Sequence, residues 1–395
     1  MGNVAPVRLQ PGSLPPDWRP LPEIPARRYT STAFADLERD HLWSRTWLCA
    51  GREEELPQAG DYKLFEKTGR PILIVRGKDG LARAFYNICR HRGARVARGE
   101  TGHAARLRCQ FHSWSYNLEG ELVAVPGEEG FACLDRAERG LIPVRCETWD
   151  GWLFVNFDDA APPLSAFVAE LGPQLRSTAM TSLRLVGKRN YVARSNWKTT
   201  MDAFLEAYHL DTIHPKTAAV VNDGRYSRIE LLAGGHSWQA LRRRKMLGEE
   251  VSGNDQPDIA GIDDHFREHG ITYNVFPNLV APIDPVGFPV LLMWPIDVEQ
   301  CEIEVYFLGP AWESDRREAF YDSYFRFFDQ LVGEDMDNLA NIQLSLGTGM
   351  MKGPLLGFQE QRVYWLHQAI DDRIGASNIP EAQRVSQILS ATTSD

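Results

Sequence analysis

No stretch of this 395-residue chain runs to the roughly 18 consecutive apolar residues that a membrane-spanning helix needs. Basic residues do not outnumber acidic ones. Against 53 Asp and Glu stand 43 Lys and Arg, a formal net charge of −10, which argues against nucleic acid as a partner. Cysteine is scarce, six residues in all, too few for a disulfide framework in a chain this long. Cys49, Cys133, Cys146 and Cys301 are scattered and read as reduced, mostly buried thiols of a cytoplasmic protein. The opening residues, MGNVAPVRLQPGSLPPDWRPLP, are rich in proline and lack the apolar core of a secretory signal. Residues 1–45 therefore read as a mobile arm and a lead-in helix, with helical spacing at Phe34, Leu37, His41 and Leu42 and a cap at Ser31 or Thr32. No internal repeat or low-complexity segment is present.

What the chain does have is concentrated in Cys89 to His112. Two pairs stand there, Cys89-x-His91 and Cys109-x-x-His112, and each offers one thiolate and one imidazole. A 2Fe–2S cluster with two Cys on one iron and two His on the other needs that mixture. Its neutral His ligands raise the potential to roughly −150 to +300 mV. A structural zinc ion also takes two Cys and two His, although the typical zinc knuckle pairs like with like.

A second constellation lies in 196–215, NWKTTMDAFLEAYHLDTIHP. As a helix over 197–210, Met201, Phe204, Leu205 and Tyr208 form a buried stripe, and Asp202, Glu206 and His209 a polar face beside it. Asp202 and Glu206 are the candidate catalytic acids. Pro215 disfavours helix at the residue before it, so His214 should sit on a turn and point back toward His209. Two imidazoles and a carboxylate form the facial triad of non-heme Fe(II) oxygenases. The carboxylate is expected from the helix 314–346. There Asp335 shares a stripe with Phe328, Leu331, Leu339 and Ile342, where an unpaired acid is costly unless a metal neutralises it. Glu334 and Asp337 fall off the stripe and should face solvent; Asp337 is the next-best ligand.

The rest of the pattern gives an α+β protein. Short strands with turn punctuation fill 46–160, with turns at Gly60, Lys78-Asp79-Gly80 and Asn117 to Gly120. Strands and long helices mix over 161–395, with a third helix at 359–374. Phe204, Leu205, Val275, Phe276, Met293 and Trp294 are candidate pocket walls. Residues 247–266 read as a solvated loop or a lid. Arg242 to Lys245 is a basic run, read as a solvated face or a docking site for an acidic ferredoxin.

The two metal-ligand pairs, with Trp114 two residues after His112, resemble the motif of the Rieske non-heme iron oxygenases, the aromatic ring-hydroxylating alpha-subunit family. Many members have Gly where this chain has Ser113, whose backbone N–H is expected to serve a cluster sulfur. Glu206-x-x-His209 and His214 match the family's iron motif, and Asp335 followed by Gln343 resembles its third-ligand helix. The resemblance covers about 29–374. It implies an N-terminal all-β [2Fe–2S] domain (46–160) and a C-terminal helix-grip catalytic domain (161–395). It implies Cys89, His91, Cys109 and His112 on the cluster, and His209, His214 and Asp335 on a mononuclear Fe(II). Glu206 takes the place of the acid that links a cluster His of one protomer to an iron His of the next. The implied activity is that of a terminal oxygenase, fed from NAD(P)H by a separate reductase or ferredoxin, that hydroxylates an aromatic or related small molecule, as in aromatic hydrocarbon breakdown. A homotrimer is implied, and a small β subunit is compatible with it. Within the class, Glu rather than Asp at 206 leans toward an N- or O-demethylating monooxygenase on a methylated amine or aryl ether. Outside it, the alternative is a Rieske electron carrier with a ligand-binding second domain.

Overall fold

The computed structural model describes residues 7–8, 14, 18–246 and 255–392. The chain divides into two units, Trp43–Val168 and a second made of the residues up to Leu42 together with those from Ala169 onward.

The Trp43–Val168 unit is built of antiparallel strands. Seven form one sheet in the spatial order Leu48–Arg52, Trp152–Asn156, Pro143–Trp149, Ala82–Tyr86, Ile72–Arg76, Asp61–Phe65, Thr101–His103. Trp149 pairs with Trp152 across a two-residue turn. Asp150 and Gly151 both take positive φ there (46° and 80°), the turn whose twist matches that of the strands it joins. A smaller sheet, Leu107–Arg108, Ser115–Tyr116 and Leu122–Ala124, contains the expected hairpin. Its turn is held by Asn117 Oδ1, which accepts from the backbone N–H groups of Glu119 and Glu121. Leu73, Phe85, Trp114, Tyr116 and Leu122 pack into one core with Cys89 and Cys109. Both cysteines are therefore held by apolar packing rather than on a free loop.

The second unit carries an eight-stranded antiparallel sheet. In spatial order it runs Val7–Arg8, Asn222–Leu231, Ser237–Arg243, His269–Val275, Leu279–Ile283, Phe288–Pro295, Cys301–Gly309, Arg184–Ala193. Ser237–Arg243 and Leu279–Ile283 are hard to see in the sequence. Each is short and almost wholly buried, so neither shows the polar alternation that marks a half-exposed strand. The helices Trp197–Phe204, Arg317–Gly347 and Gln361–Ile374 pack against this sheet.

On the 31-residue helix Arg317–Gly347 the buried positions include Tyr324, Phe328, Val332, Asp335, Leu339 and Gln343, in steps of three and four. Asp335 is on the stripe as expected. Ile342 is not; it is 46% exposed, and Gln343 takes the inward place. The lead-in segment is helical over Thr32–Leu37 and capped by Ser31, whose Oγ accepts from Phe34 N. Among the described residues, no helix is long and apolar enough to cross a membrane.

Candidate metal centres

The four residues mixed in sequence are sorted in space. The rings of His91 and His112 lie 4.6 Å apart, and Cys89 and Cys109 share one buried core, where each thiol feels the other. Like therefore meets like, two thiols on one side and two imidazoles on the other. The quartet does not gather its ligand atoms within 4.8 Å of one another, as a single ion would require; among the described residues the group that does so is a different one. That spread fits a two-metal cluster and not a tetrahedral zinc ion. His91 Nδ1 is buried with no hydrogen-bond partner. Burial, then the neighbouring His112 and Arg92, lower its pKa, so the ring is a neutral donor at pH 7.

The two ligand loops are one turn used twice. Cys89 O accepts from Gly93 N and Cys109 O from Ser113 N, at 2.9 and 3.0 Å. Cys89 N then donates to Ala94 O, and Cys109 N to Trp114 O. The closing residue has positive φ in both, 77° at Gly93 and 63° at Ser113. The Ser113 N–H is thus spent on Cys109 O and is not offered to a sulfur, a correction to the expectation above. The sulfur's partner is Tyr116, whose hydroxyl lies 3.4 Å from Cys89 Sγ and accepts from Arg90 N at 3.0 Å. With that lone pair occupied, the hydroxyl proton is free to point at the sulfur. His91 stacks on Trp114 at 4.9 Å. No cysteine is in a disulfide, and of the four scattered ones Cys133 is exposed.

The expected helix 197–210 ends at Phe204. Its start is well capped: Asn196 Oδ1 accepts from Lys198 N, and Gln343 Oε1 accepts from Asn196 N. Its end is forced by Glu206, whose carboxylate accepts from the backbone N–H groups of Tyr208 and His209 and so competes with the helical bonds they would make. Tyr208, expected on the buried stripe, is consequently 76% exposed, while Met201 and Leu205 are fully buried. A new turn, Leu210–Ile213, follows and leaves His214 just past its end.

This break brings the second group together. His209, His214 and Asp335 offer ligand atoms that all lie within 4.8 Å of one another. The imidazole rings are 5.1 Å apart. Asp335 Oδ1 lies 3.1 Å from His214 Nε2 and 3.7 Å from His209 Nε2. The outward nitrogens have carboxylate partners too. His209 Nδ1 bonds Glu206, and His214 Nδ1 bonds Glu334 Oε2 at 2.8 Å. Glu334 also accepts from Thr217 Oγ1 at 2.6 Å. It was expected in solvent, and it turns inward because His214 and Thr217 supply donors. Asp337 is exposed. Burial pushes the pKa of His209 and His214 down, but the carboxylates around them outweigh it and leave both raised.

Asp202 stays on the helix, whereas Glu206 falls in the irregular segment beyond its end. Asp202 Oδ2 accepts from Tyr29 OH at 2.8 Å, and its Oδ1 lies 3.5 Å from His367 Nε2 without a hydrogen bond. Burial pushes its carboxyl up to about 8. Behind it, Arg28 bonds His367 and Asp371, and Lys198 pairs with Glu38. This buried ionic layer fixes the base of the helix that precedes His209.

The triad opens into a cavity of ≈ 190 Å³, whose apolar wall includes Phe204, Leu210, Ile271, Leu291 and Phe328. Of the expected walls, Phe204 is present. Leu205, Val275, Phe276, Met293 and Trp294 are fully buried core and do not line it. The basic run also divides. Arg242 is exposed and Arg243 turns into the cavity. In the suggested lid, residues 247–254 lie outside the described residues, while Ile259, Ile262 and Phe266 are buried.

Comparison with known proteins gives two family matches: Rieske [2Fe-2S] domain over residues 46–135 and Ring hydroxylating alpha subunit (catalytic domain) over 180–376. The chain is 33% identical over 233 residues to the carnitine monooxygenase oxygenase subunit of Escherichia coli (strain K12), a match covering 57% of this chain and 61% of that protein's length. It is 35% identical over 192 residues to the chlorobenzene dioxygenase subunit alpha of Cupriavidus sp. (strain PS12), covering 47% of this chain and 43% of that one. Among solved structures, a quaternary ammonium Rieske monooxygenase superposes with a TM-score of 0.75 at 21% identity, covering 89% of this chain and 95% of that one. At that identity the likeness speaks to the fold.

Proposed function

This chain belongs to the Rieske oxygenase alpha-subunit family, and from that premise we propose that it is the terminal oxygenase of a multicomponent system that hydroxylates an aromatic or related small organic substrate. The observation that carries the reading is that His209, His214 and Asp335 converge on the wall of a largely apolar cavity, in a chain that also holds a Cys/His quartet sorted like with like. Without that triad the electron-carrier alternative would serve as well.

Cys89, Cys109, His91 and His112 would hold the [2Fe–2S] cluster, and His209, His214 and Asp335 the ferrous ion. When bound, the cluster supplies electrons one at a time and the ferrous ion supplies dioxygen activation. The chain's own groups prepare the site. Glu206 and Glu334 accept the Nδ1 protons of His209 and His214, so each Nε2, on the Asp335 side of its ring, is the atom whose lone pair would hold the ion once its own proton is lost. Glu206 also breaks the helix that would carry His209 away. Asp202 retains a proton at its carboxyl up to about pH 8, as a buried acid on the preceding helix. The apolar wall excludes water and orients the substrate.

Residues 46–160 are the proposed cluster domain and 161–395 the catalytic one. Electrons would come from NAD(P)H through a reductase or ferredoxin, the chain assembling as a homotrimer with or without a small β subunit. A cytoplasmic location is supported by six cysteines free of disulfides. A second reading, attack at a methylated nitrogen, is favoured by Glu206 and by the match to a carnitine monooxygenase. Substrate-dependent O₂ uptake by the reconstituted system, across aromatic acids, neutral aromatics and methylated amines, tests both. Uptake with none of them in iron-loaded protein would count against the oxygenase reading.

A further inference from the structure

The cavity is long, and it is not apolar throughout. Tyr324, Phe328, Leu331 and Asp335 line it from one face of the same helix. Asp335 lies eleven positions after Tyr324, about 16 Å along the helix axis. The triad marks one end of this wall. At the other, Tyr324 OH donates to Gly287 O at 3.0 Å, Gly287 N donates to Asp284 O, and Asp284 Oδ2 receives Arg243 Nη1 at 2.6 Å. Arg243 and Asp284 both line the cavity, with side chains only 6% and 13% exposed.

An ion pair taken out of water is costly unless its remaining hydrogen-bonding groups are met. Arg243 Nη2 is met by the carbonyls of Phe266 and His269, each at 3.1 Å. Arg243 Nε is buried and has no partner. Directly across the strand pair from Arg243 is Asn222, which also lines the cavity and whose Oδ1 is likewise buried without a partner. Residues opposite each other in an antiparallel pair share a face. At the far end of the cavity two residues that line it thus each hold back an unmet polar atom, a donor on Arg243 and an acceptor on Asn222, both buried in its wall and within reach of a ligand once these side chains turn, in a setting already neutralised by Asp284.

We propose that the Arg243–Asp284 pair and Asn222 form a specificity site for a neutral polar end of the substrate, a hydroxyl or carboxamide carried on an elongated apolar body. With the two side chains turned toward it, a hydroxyl can accept from Arg243 Nε and donate to Asn222 Oδ1 at once. A carboxylate would meet Asp284, and a fixed cation would meet Arg243, whose counter-ion is engaged. This rests on the oxygenase reading of the triad, because it takes the reacting end of the ligand to lie at Asp335.

The test is anaerobic calorimetric titration of the iron-loaded, cluster-loaded protein with 4-hydroxybiphenyl, biphenyl-4-carboxamide, biphenyl and biphenyl-4-carboxylate. The hydroxyl and amide probes are expected to bind about tenfold tighter than biphenyl, one good hydrogen-bonded pair's worth, and the carboxylate no tighter than biphenyl. The double variant Arg243→Met/Asp284→Leu replaces the pair with apolar side chains, which preserves folding where a single substitution strands a charge. It leaves the Phe266 and His269 carbonyls unmet, so it should melt somewhat lower than the unsubstituted protein but above Arg243→Met alone, and bind all the uncharged probes alike. Asn222→Ala, which leaves the ion pair intact, should remove at least half of the preference on a logarithmic scale. Equal affinities in the unsubstituted protein overturn the proposal, including the case in which no probe binds, and so does a preference that survives in the double variant. Iron content measured on the same samples separates the two claims. A filled triad with no preference among probes defeats this inference alone, and an empty triad defeats the reading beneath it.

Discussion

His214 Nδ1 and Glu334 Oε2 lie 2.8 Å apart, and this bond fixes which nitrogen of the ring is turned toward Asp335. A carboxylate behind a ligand imidazole typically sustains 10- to 100-fold in metal affinity. Glu334→Ala should weaken ferrous binding by about that factor in chelator competition, with Glu334→Gln retaining part of it. The visible spectrum of the cluster, held by other residues, should not move.

Ser113 stands where its sister turn has Gly93, at φ 63°. A side chain in that region costs about 1–2 kcal/mol. The glycine's greater freedom in the unfolded chain returns part of that. Arg108 also loses an exposed hydrogen bond to Ser113 Oγ. Ser113→Gly should therefore stabilise the cluster-loaded protein by up to about 1 kcal/mol in denaturant unfolding. A loss of stability would mean that the Arg108 bond outweighs the backbone strain.

Tyr116 faces Cys89 Sγ at 3.4 Å with its acceptor side occupied by Arg90 N. Hydrogen bonds to cluster sulfurs raise the potential. Removing one with Tyr116→Phe should lower it. If about 1 kcal/mol of the bond distinguishes the two oxidation states, the shift is about 40 mV for one electron. Protein-film voltammetry reads this without substrate, and an unchanged or raised potential would contradict the assignment.

The triad histidines give opposite pH dependences to the metal-free and loaded protein. In the metal-free protein their pKa values are raised, the carboxylates outweighing burial. A raised folded pKa contributes stability that is complete below the unfolded value, near 6.5, and lost as pH rises through the folded one. Metal binding needs the neutral rings. Over the window above about pH 6.5, the melting temperature of metal-free protein should fall, while the increment gained on adding ferrous ion should grow. Parallel melting curves would show that these rings are not the metal's ligands.

Much of this was legible in the sequence, for identifiable reasons. The mixed Cys/His pairs have few alternative uses, and Asp335 betrayed itself by sitting on an apolar stripe. Reading 197–210 as one helix failed because periodicity cannot see a side chain that captures backbone N–H groups. Glu206 does so, and with the break Tyr208 passed from the buried stripe to solvent. Glu334 was misread for a related reason. It stands one residue off the stripe, and its partners His214 and Thr217 are over a hundred residues away in sequence. Arg243 was hidden in a basic run; its inward turn depends on Asp284, which only the pairing of distant strands brings near.

The central claim is that one chain holds a [2Fe–2S] cluster and a separate ferrous ion on His209, His214 and Asp335. Iron and acid-labile sulfide counted per chain, in unsubstituted protein and in Asp335→Ala, test it most directly. The account predicts three irons and two sulfides in the first, and two of each in the variant, with the cluster's visible spectrum intact and substrate oxidation abolished. Three irons with retained turnover in the variant, or two irons in fully active unsubstituted protein, would contradict it.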